Sequence, residues 1–114
     1  MLFRDMTKAQ RERLRELAAI AYERQLSVEL GKLEAEFARW RAGKLDGHEL
    51  SDRIHAFHDG PSRKLYSRYT DTHSGFNVAA AIVDKTLSES EVDVEILELL
   101  RERLDLLRND ISKS

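Results

Sequence analysis

The chain has 114 residues, a length that fits one domain spanning residues 1–114. It contains no cysteine, which excludes disulfide bonds, thiolate zinc sites and cysteine nucleophiles. Charged residues make up 35% of the chain but leave a net charge of only −2, without the basic excess typical of proteins that bind nucleic acid, so no nucleic-acid partner is expected.

The composition favours helices, because the chain has one proline, few glycines and many Leu, Ala, Glu and Arg residues. No segment alternates apolar and polar residues as a strand would. The longest nearly apolar stretch, residues 76–83, is much shorter than the ~20 residues of a membrane span, and the N-terminus lacks the apolar run of a signal peptide. We therefore expect a soluble, cytoplasmic, all-α protein without a membrane partner, folded as a compact bundle of about five helices with long first and last helices.

The first predicted helix begins at Thr7, because Thr7 and Gln10 have the spacing of a capping box. Apolar residues then recur at helical spacing, and Gly43 suits the left-handed conformation that ends a helix. A helix of about 35 residues would be ~52 Å long, whereas a compact domain of this size is only ~34 Å across. The helix must therefore bend or protrude. Its second apolar stripe consists of Leu26, Leu30, Leu33, Phe37 and Trp40.

Three shorter helices are expected next. Asp46 and Glu49 predict a second capping box at the start of helix 2. The Gly-Pro pair at 60–61 is predicted to end helix 2 and begin helix 3, because proline disfavours the helical conformation in the residue before it and suits the first helical position. Residues 70–75 are expected to form a loop, and helix 4 is expected to run from about Asn77 to Leu87.

The last predicted helix begins near Ser88 or Ser90 and continues without a break to about Ile111. Its first turns are acidic and its last turns basic, which complements the helix dipole. Its apolar positions step by three and four residues, a seam of the coiled-coil type. These positions are Leu97, Leu100, Leu104, Leu107 and Ile111.

Both long helices have more apolar surface than a small monomer is expected to cover. Our main hypothesis is therefore a non-enzymatic protein that acts by self-association, as a homodimer, or by contact with another protein. The predicted interface consists of Leu26, Leu30, Leu33, Leu97, Leu100, Leu104 and Leu107.

A metal site on helix 2 is the alternative hypothesis. Four polar residues recur there at intervals of three and four, within about 60° of one another on one helix face. Imidazole and carboxylate groups one turn apart can chelate a divalent metal, and no other cofactor is expected. The competing interpretation is the solvated face of an amphipathic helix, with the last residue capping helix 3. The four residues are His48, Asp52, His55 and Asp59.

A more remote alternative comes from Arg68 and His73, whose Arg-x4-His spacing resembles the signature of the HEPN ribonucleases, a family of small helical bundles. The resemblance covers these two residues and implies that they act together on an RNA phosphodiester across a dimer interface. A histidine in a loop is the competing interpretation. Residues 62–69 interleave basic and aromatic side chains, as single-strand grooves do, but a helix with one buried face has the same pattern. The sequence contains no Gly-rich phosphate loop, nucleophile elbow or His-Glu-x-x-His motif.

Overall fold

The computed structural model describes residues 5–113, with the surroundings of the side chains of residues 5–110. Every regular element in this range is helical, which confirms the all-α fold class. None of these helices combines the length and the apolar character needed to cross a bilayer. The helices are α1 (Lys8–Arg41), α2 (Gly47–Phe57), α3 (Arg63–Asp71), α4 (Ser74–Val83), α5 (Val94–Leu99) and α6 (Arg101–Lys113), with a π-helical turn (His58–Ser62) and a 3-10 turn (Glu89–Glu91).

Helix α1 begins and ends where the sequence predicts. The Thr7 hydroxyl accepts a hydrogen bond from the Gln10 backbone N–H at 3.0 Å, and the Gln10 side chain accepts one from the Thr7 N–H at 2.9 Å. Gly43 follows the helix with φ 77°, a conformation in which a side chain would be strained. The helix is continuous over 34 residues, so it protrudes. The molecule measures 54 × 33 × 24 Å, with a radius of gyration of 17.6 Å against the ~13 Å expected for a compact domain.

Pro61 does not end the second helical segment, contrary to the prediction. The backbone continues from α2 through the π-helical turn into α3, and Pro61 lies inside that turn. Proline lacks the N–H that an α-helix needs, whereas the wider π turn shifts the hydrogen-bond register and absorbs the loss. Helices α2 and α3 therefore form one helical run with an irregular middle.

Helix α4 starts three residues earlier and ends four residues earlier than predicted. His73 caps its start, since the His73 Nδ1 accepts a hydrogen bond from the Gly75 N–H at 2.9 Å. The helix ends because Lys85 adopts φ 68°, the left-handed conformation usually taken by glycine, and the Leu87 N–H then donates to the carbonyl of Ala81. Most of the predicted loop at 70–75 is helical, and only residues 72–73 separate α3 from α4.

The predicted long last helix is broken, which is a second difference from the prediction. A 3-10 turn and the buried Val92 precede α5, and Leu100 separates α5 from α6. Leu100 has φ −95° and ψ 1°, which lies outside the α-helical region and ends α5. The break lets two short helices each turn their own apolar residues inward, Ile96 and Leu99 from α5 and Leu104 from α6.

The hydrophobic core lies at one end of the molecule, which we call the body. Its first source is the N-terminal half of α1, where Leu14 and Ala21 are fully buried. Helix α4 packs against this half of α1, and its small residues allow the two backbones to approach closely. Helix α6 packs on α4 and closes the core. The core residues of α4, α5 and α6 are Val78, Ala79, Ala81, Ile82, Ile96, Leu99, Leu100 and Leu104.

Arg24 joins the middle of α1 to the loop before α5. Its guanidinium donates two hydrogen bonds to the Glu91 carboxylate, at 2.8 and 2.9 Å, and one to the Thr86 carbonyl at 2.9 Å. The Ser88 backbone N–H also donates to the same carboxylate. These contacts, with Arg24 first, lower the pKa of Glu91 to about 2.

We expect Glu91 to stabilise the fold in a pH-dependent way. Because its pKa is lower in the folded protein than the ~4.3 of an unfolded chain, its contribution is complete above that value and is lost as the pH falls through about 2. The difference in free energy of unfolding between the wild type and Glu91→Gln should therefore narrow steadily from about pH 5 to pH 2. Urea unfolding across this range measures it, and a difference independent of pH would contradict the assignment.

Candidate functional site

The second half of α1 and the helix that follows it form a two-helix arm, which we define as residues 26–57. Helix α2 packs against α1 and the π turn, and none of its major contacts reaches α4, α5 or α6. Only Leu45 and Leu50 are buried in the arm, whereas the body contains an extensive core. Two antiparallel helices can cover only the line where they touch, so the flanks of this line are open.

One flank of the arm is polar. The Arg53 Nε lies 3.5 Å from the Glu36 Oε2, and Glu36 also pairs with Arg39 at 3.2 Å. These contacts join α1 to α2 along this side and leave charged groups toward the solvent. These three charges on this flank pair within the chain, so none of them is left unpaired for a second protein to bind.

The opposite flank is apolar, and we call it the arm face. Successive residues of a helix are about 100° apart. Leu30 and Phe37 therefore lie roughly 100–120° around α1 from Glu36. Ile54 lies about 100° around α2 from Arg53, on the same flank of the arm as Leu30 and Phe37. Leu30 is 45% exposed and Ile54 39% exposed, while Phe37 is half-buried. Leu26 and Leu33 are half-buried beside them. The chain thus leaves several apolar side chains of the arm face wholly or partly accessible.

Charged residues of both signs lie among the apolar residues of the arm face along α1. Glu23, Glu34 and Arg41 are exposed, and each lies within about 40° of Leu30 around the helix. Glu34 and Arg41 have no ion-pair partner among the residues that the structure describes. The arm face thus combines accessible apolar side chains with charges of both signs that are unpaired within the described part of the chain.

The junction between the arm and the body is rigid. The rings of Tyr22 and Tyr69 stack with centroids 4.8 Å apart, and the Tyr69 hydroxyl donates to the Gln25 Oε1 at 2.7 Å. Burial raises the pKa of Tyr69, so the phenol remains protonated and can act as this donor. The Gln25 Nε2 in turn donates to the Thr86 hydroxyl at 3.1 Å. These contacts connect α1 to both α3 and the loop that follows α4.

The predicted interface residues fall into two groups. Leu26, Leu30 and Leu33 lie on the arm, where they remain wholly or partly accessible. The four leucines of the last helix do not, because Leu100 and Leu104 belong to the core and Leu97 and Leu107 pack against it. The physical reason is the break at Leu100, which turns the two short helices toward the body. The first group remains available to a second chain, and the second group already packs within its own chain.

The predicted metal-binding residues lie on the outer surface of α2 and the π turn. His48, Asp52, His55 and Asp59 are all exposed. Asp59 contacts the Nδ1 of His58 at 3.3 Å and Arg63 at 3.8 Å. Within residues 5–113, no group of three or more His, Asp or Glu side chains has the arrangement needed to hold a metal ion. The four predicted residues thus lie in an exposed row, and metal binding by them stays a prediction.

Arg68 and His73 lie on different elements. His73 is the N-cap of α4, and its ring packs edge-on against Phe76 with centroids 6.0 Å apart. Arg68 belongs to α3 and lines a groove against α1. The Nδ1 of His73 accepts a hydrogen bond from the Gly75 N–H, a structural role at the helix start.

Ile54, which is 39% exposed, was not among the predicted interface residues. Its orientation depends on the contact between Glu36 and Arg53 across two helices, which the sequence alone does not show. Comparison of the chain with family models, curated proteins and solved structures gave no match. The arm face is therefore the surface on which a function can be argued from the geometry.

Proposed function

We propose that this protein acts by self-association and that the arm face is where a second copy of the chain binds. The single observation that carries the proposal is a two-helix arm, open along one apolar flank, that projects from a well-packed body. Two such arms, packed face to face, would make a four-helix bundle, the common architecture in which helical hairpins bury their apolar strips. The role that follows is non-enzymatic, as an assembly or scaffolding element.

The surface area of the chain supports this proposal. The accessible surface is 7808 Å², whereas a compact monomer of 13.2 kDa is expected to expose about 6,400 Å². The excess is thus about 1,400 Å², larger than the ~800 Å² that each partner buries in an interface of standard size. The elongated shape thus provides enough surface for a stable dimer.

The charges of the chain fit a second copy better than a strongly charged partner. The chain has a net charge of −2, so two copies repel each other weakly. Glu23, Glu34 and Arg41 supply both signs on the arm face, so that a second copy can meet opposite charges there. A strongly acidic or basic partner would meet charges of both signs on the arm face.

Sedimentation equilibrium over a wide concentration range tests the proposal. We expect a single species of about twice 13.2 kDa at micromolar concentration and above, dissociating on dilution. A mass of one chain at all concentrations up to the millimolar range would refute self-association. Light scattering at low and high salt adds a check, because an interface with an apolar centre keeps most of its affinity when its charged rim is screened.

A further inference from the structure

A groove with a volume of about 430 Å³ lies between α1 and α3, on the side of α1 away from the arm face. Val28 and Leu65 contribute its apolar surface, and Pro61 closes one end. Val28 is 61% exposed, so this apolar surface is open to solvent. The volume falls within the ~300–1,000 Å³ range of pockets that hold small molecules.

Two cations at the edge of the groove have no carboxylate partner. Lys64 and Arg68 are four residues apart on α3, so their side chains lie on the same side of the helix. Among the residues that the structure describes, neither forms an ion pair, although Arg63 beside them pairs with Asp59. The one acid at the groove, Glu29, is held by Lys32 at 3.2 Å. The groove therefore combines an apolar surface with an uncompensated positive edge.

The π-helical turn shapes this groove. Such turns are rare, and they are frequently found at functional sites because they change the direction in which side chains project. Here the turn places the rigid ring of Pro61 against α1, between the groove and a second, smaller depression near Phe57. Gln25, which also lines the groove, already bonds Tyr69 and Thr86 through its amide, so its position is fixed. Gln25 and Pro61 thus give the groove two fixed wall positions.

We propose that this groove binds an amphipathic monoanion, an aliphatic chain that ends in a carboxylate. The chain would lie on Val28, Pro61 and Leu65, and the carboxylate would bond the Lys64 ammonium and the Arg68 guanidinium. A carboxylate matches the planar fork of arginine, and a second cation nearby accommodates its other lone pairs. The inference is independent of the proposed dimer, because Val28 and Leu30 project about 160° apart around α1.

Calorimetric titration with decanoate, below the concentration at which it forms micelles, tests the inference. We expect saturable binding with one site per chain, and binding of decanol at least about tenfold weaker because it lacks the charge. The double variant Lys64→Gln/Arg68→Gln should bind decanoate at least about tenfold more weakly. Lys8→Gln/Arg15→Gln removes the same charge from the first two turns of α1 and should bind decanoate as the wild type does.

A filling variant tests the apolar part. Val28→Phe places a larger ring in the groove at an exposed position, so the fold should be retained while decanoate binding weakens at least about tenfold. Leu30→Glu should bind decanoate with wild-type affinity, which separates this inference from self-association. The inference is overturned if decanoate shows no saturable binding, if decanol binds equally well, or if the Lys64/Arg68 and Lys8/Arg15 variants bind alike.

Discussion

Replacing Leu30 with glutamate is expected to dissociate the proposed dimer, raising its dissociation constant by at least about 100-fold, or ~2.7 kcal/mol. Leu30 lies near the middle of the arm face, where a second copy would exclude water from it. Glutamate removes the apolar contact and also brings a charge into the same dry position without a partner. Sedimentation equilibrium of the variant should give the mass of one chain at concentrations where the wild type is a dimer.

A matched control uses Val28, two residues earlier on the same helix. Val28 is 61% exposed and Leu30 is 45% exposed, so a charge at either position costs little in a single chain. The two side chains point to opposite flanks of α1, and therefore Val28→Glu should remain a dimer. Circular dichroism should show the same helix content for both variants. If Leu30→Glu still dimerises, or if Val28→Glu dissociates equally, the arm face is not the interface.

A second substitution with a large expected effect lies in the hydrophobic core of the body. Leu100→Ala is expected to reduce the free energy of unfolding by about 2–5 kcal/mol, because Leu100 is completely buried and its loss leaves a cavity. For a domain of this size, each kcal/mol lowers the melting temperature by about 4–8 °C. Urea unfolding measured by far-ultraviolet dichroism gives the value directly.

Leu106 on α6 provides the comparison for this substitution. It is 57% exposed, so Leu106→Ala should change stability by less than about 0.5 kcal/mol. The pair tests which side of the last helical segment faces the core, because Leu100 is completely buried and Leu106 is largely exposed. Equal losses at the two positions would show that α6 is rotated from the orientation described.

Local signals predicted the helix boundaries where the chemistry lies within one turn of the chain. Thr7 with Gln10 and Asp46 with Glu49 form the expected capping boxes, because each needs only residues three apart. Gly43 ends α1 for an equally local reason. The all-α class and the length of α1 follow from the same information.

The π turn at Pro61 and the break at Leu100 depend on tertiary packing, which local sequence signals do not report. The π turn at Pro61 requires α1 beside it, since the groove wall that Pro61 forms gives the irregular backbone its contacts. The break at Leu100 depends on how α4 and α6 share one small core. Spacing alone treated Leu97 and Leu100 as one seam, and only the three-dimensional core separates a half-covered residue from a fully buried one.

The candidate surface was predicted in part. Leu26, Leu30 and Leu33 came from the stripe on α1, whose second half has no helix from the body to cover it. Ile54 required knowledge of which way α2 faces, and this depends on the Glu36–Arg53 contact across two helices. Lys64 and Arg68 could be found in sequence as basic residues, but only the fold shows that neither has an ion-pair partner among the described residues.

Helix α1 passes from the body into the arm as one uninterrupted rod of 34 residues. No flexible linker separates the two parts, so the arm cannot swing relative to the body without breaking backbone hydrogen bonds. In an assembly built on the arms, the length of α1 would set the distance between the bodies of neighbouring chains. Adding or removing one helical turn would change that spacing in steps of about 5.4 Å.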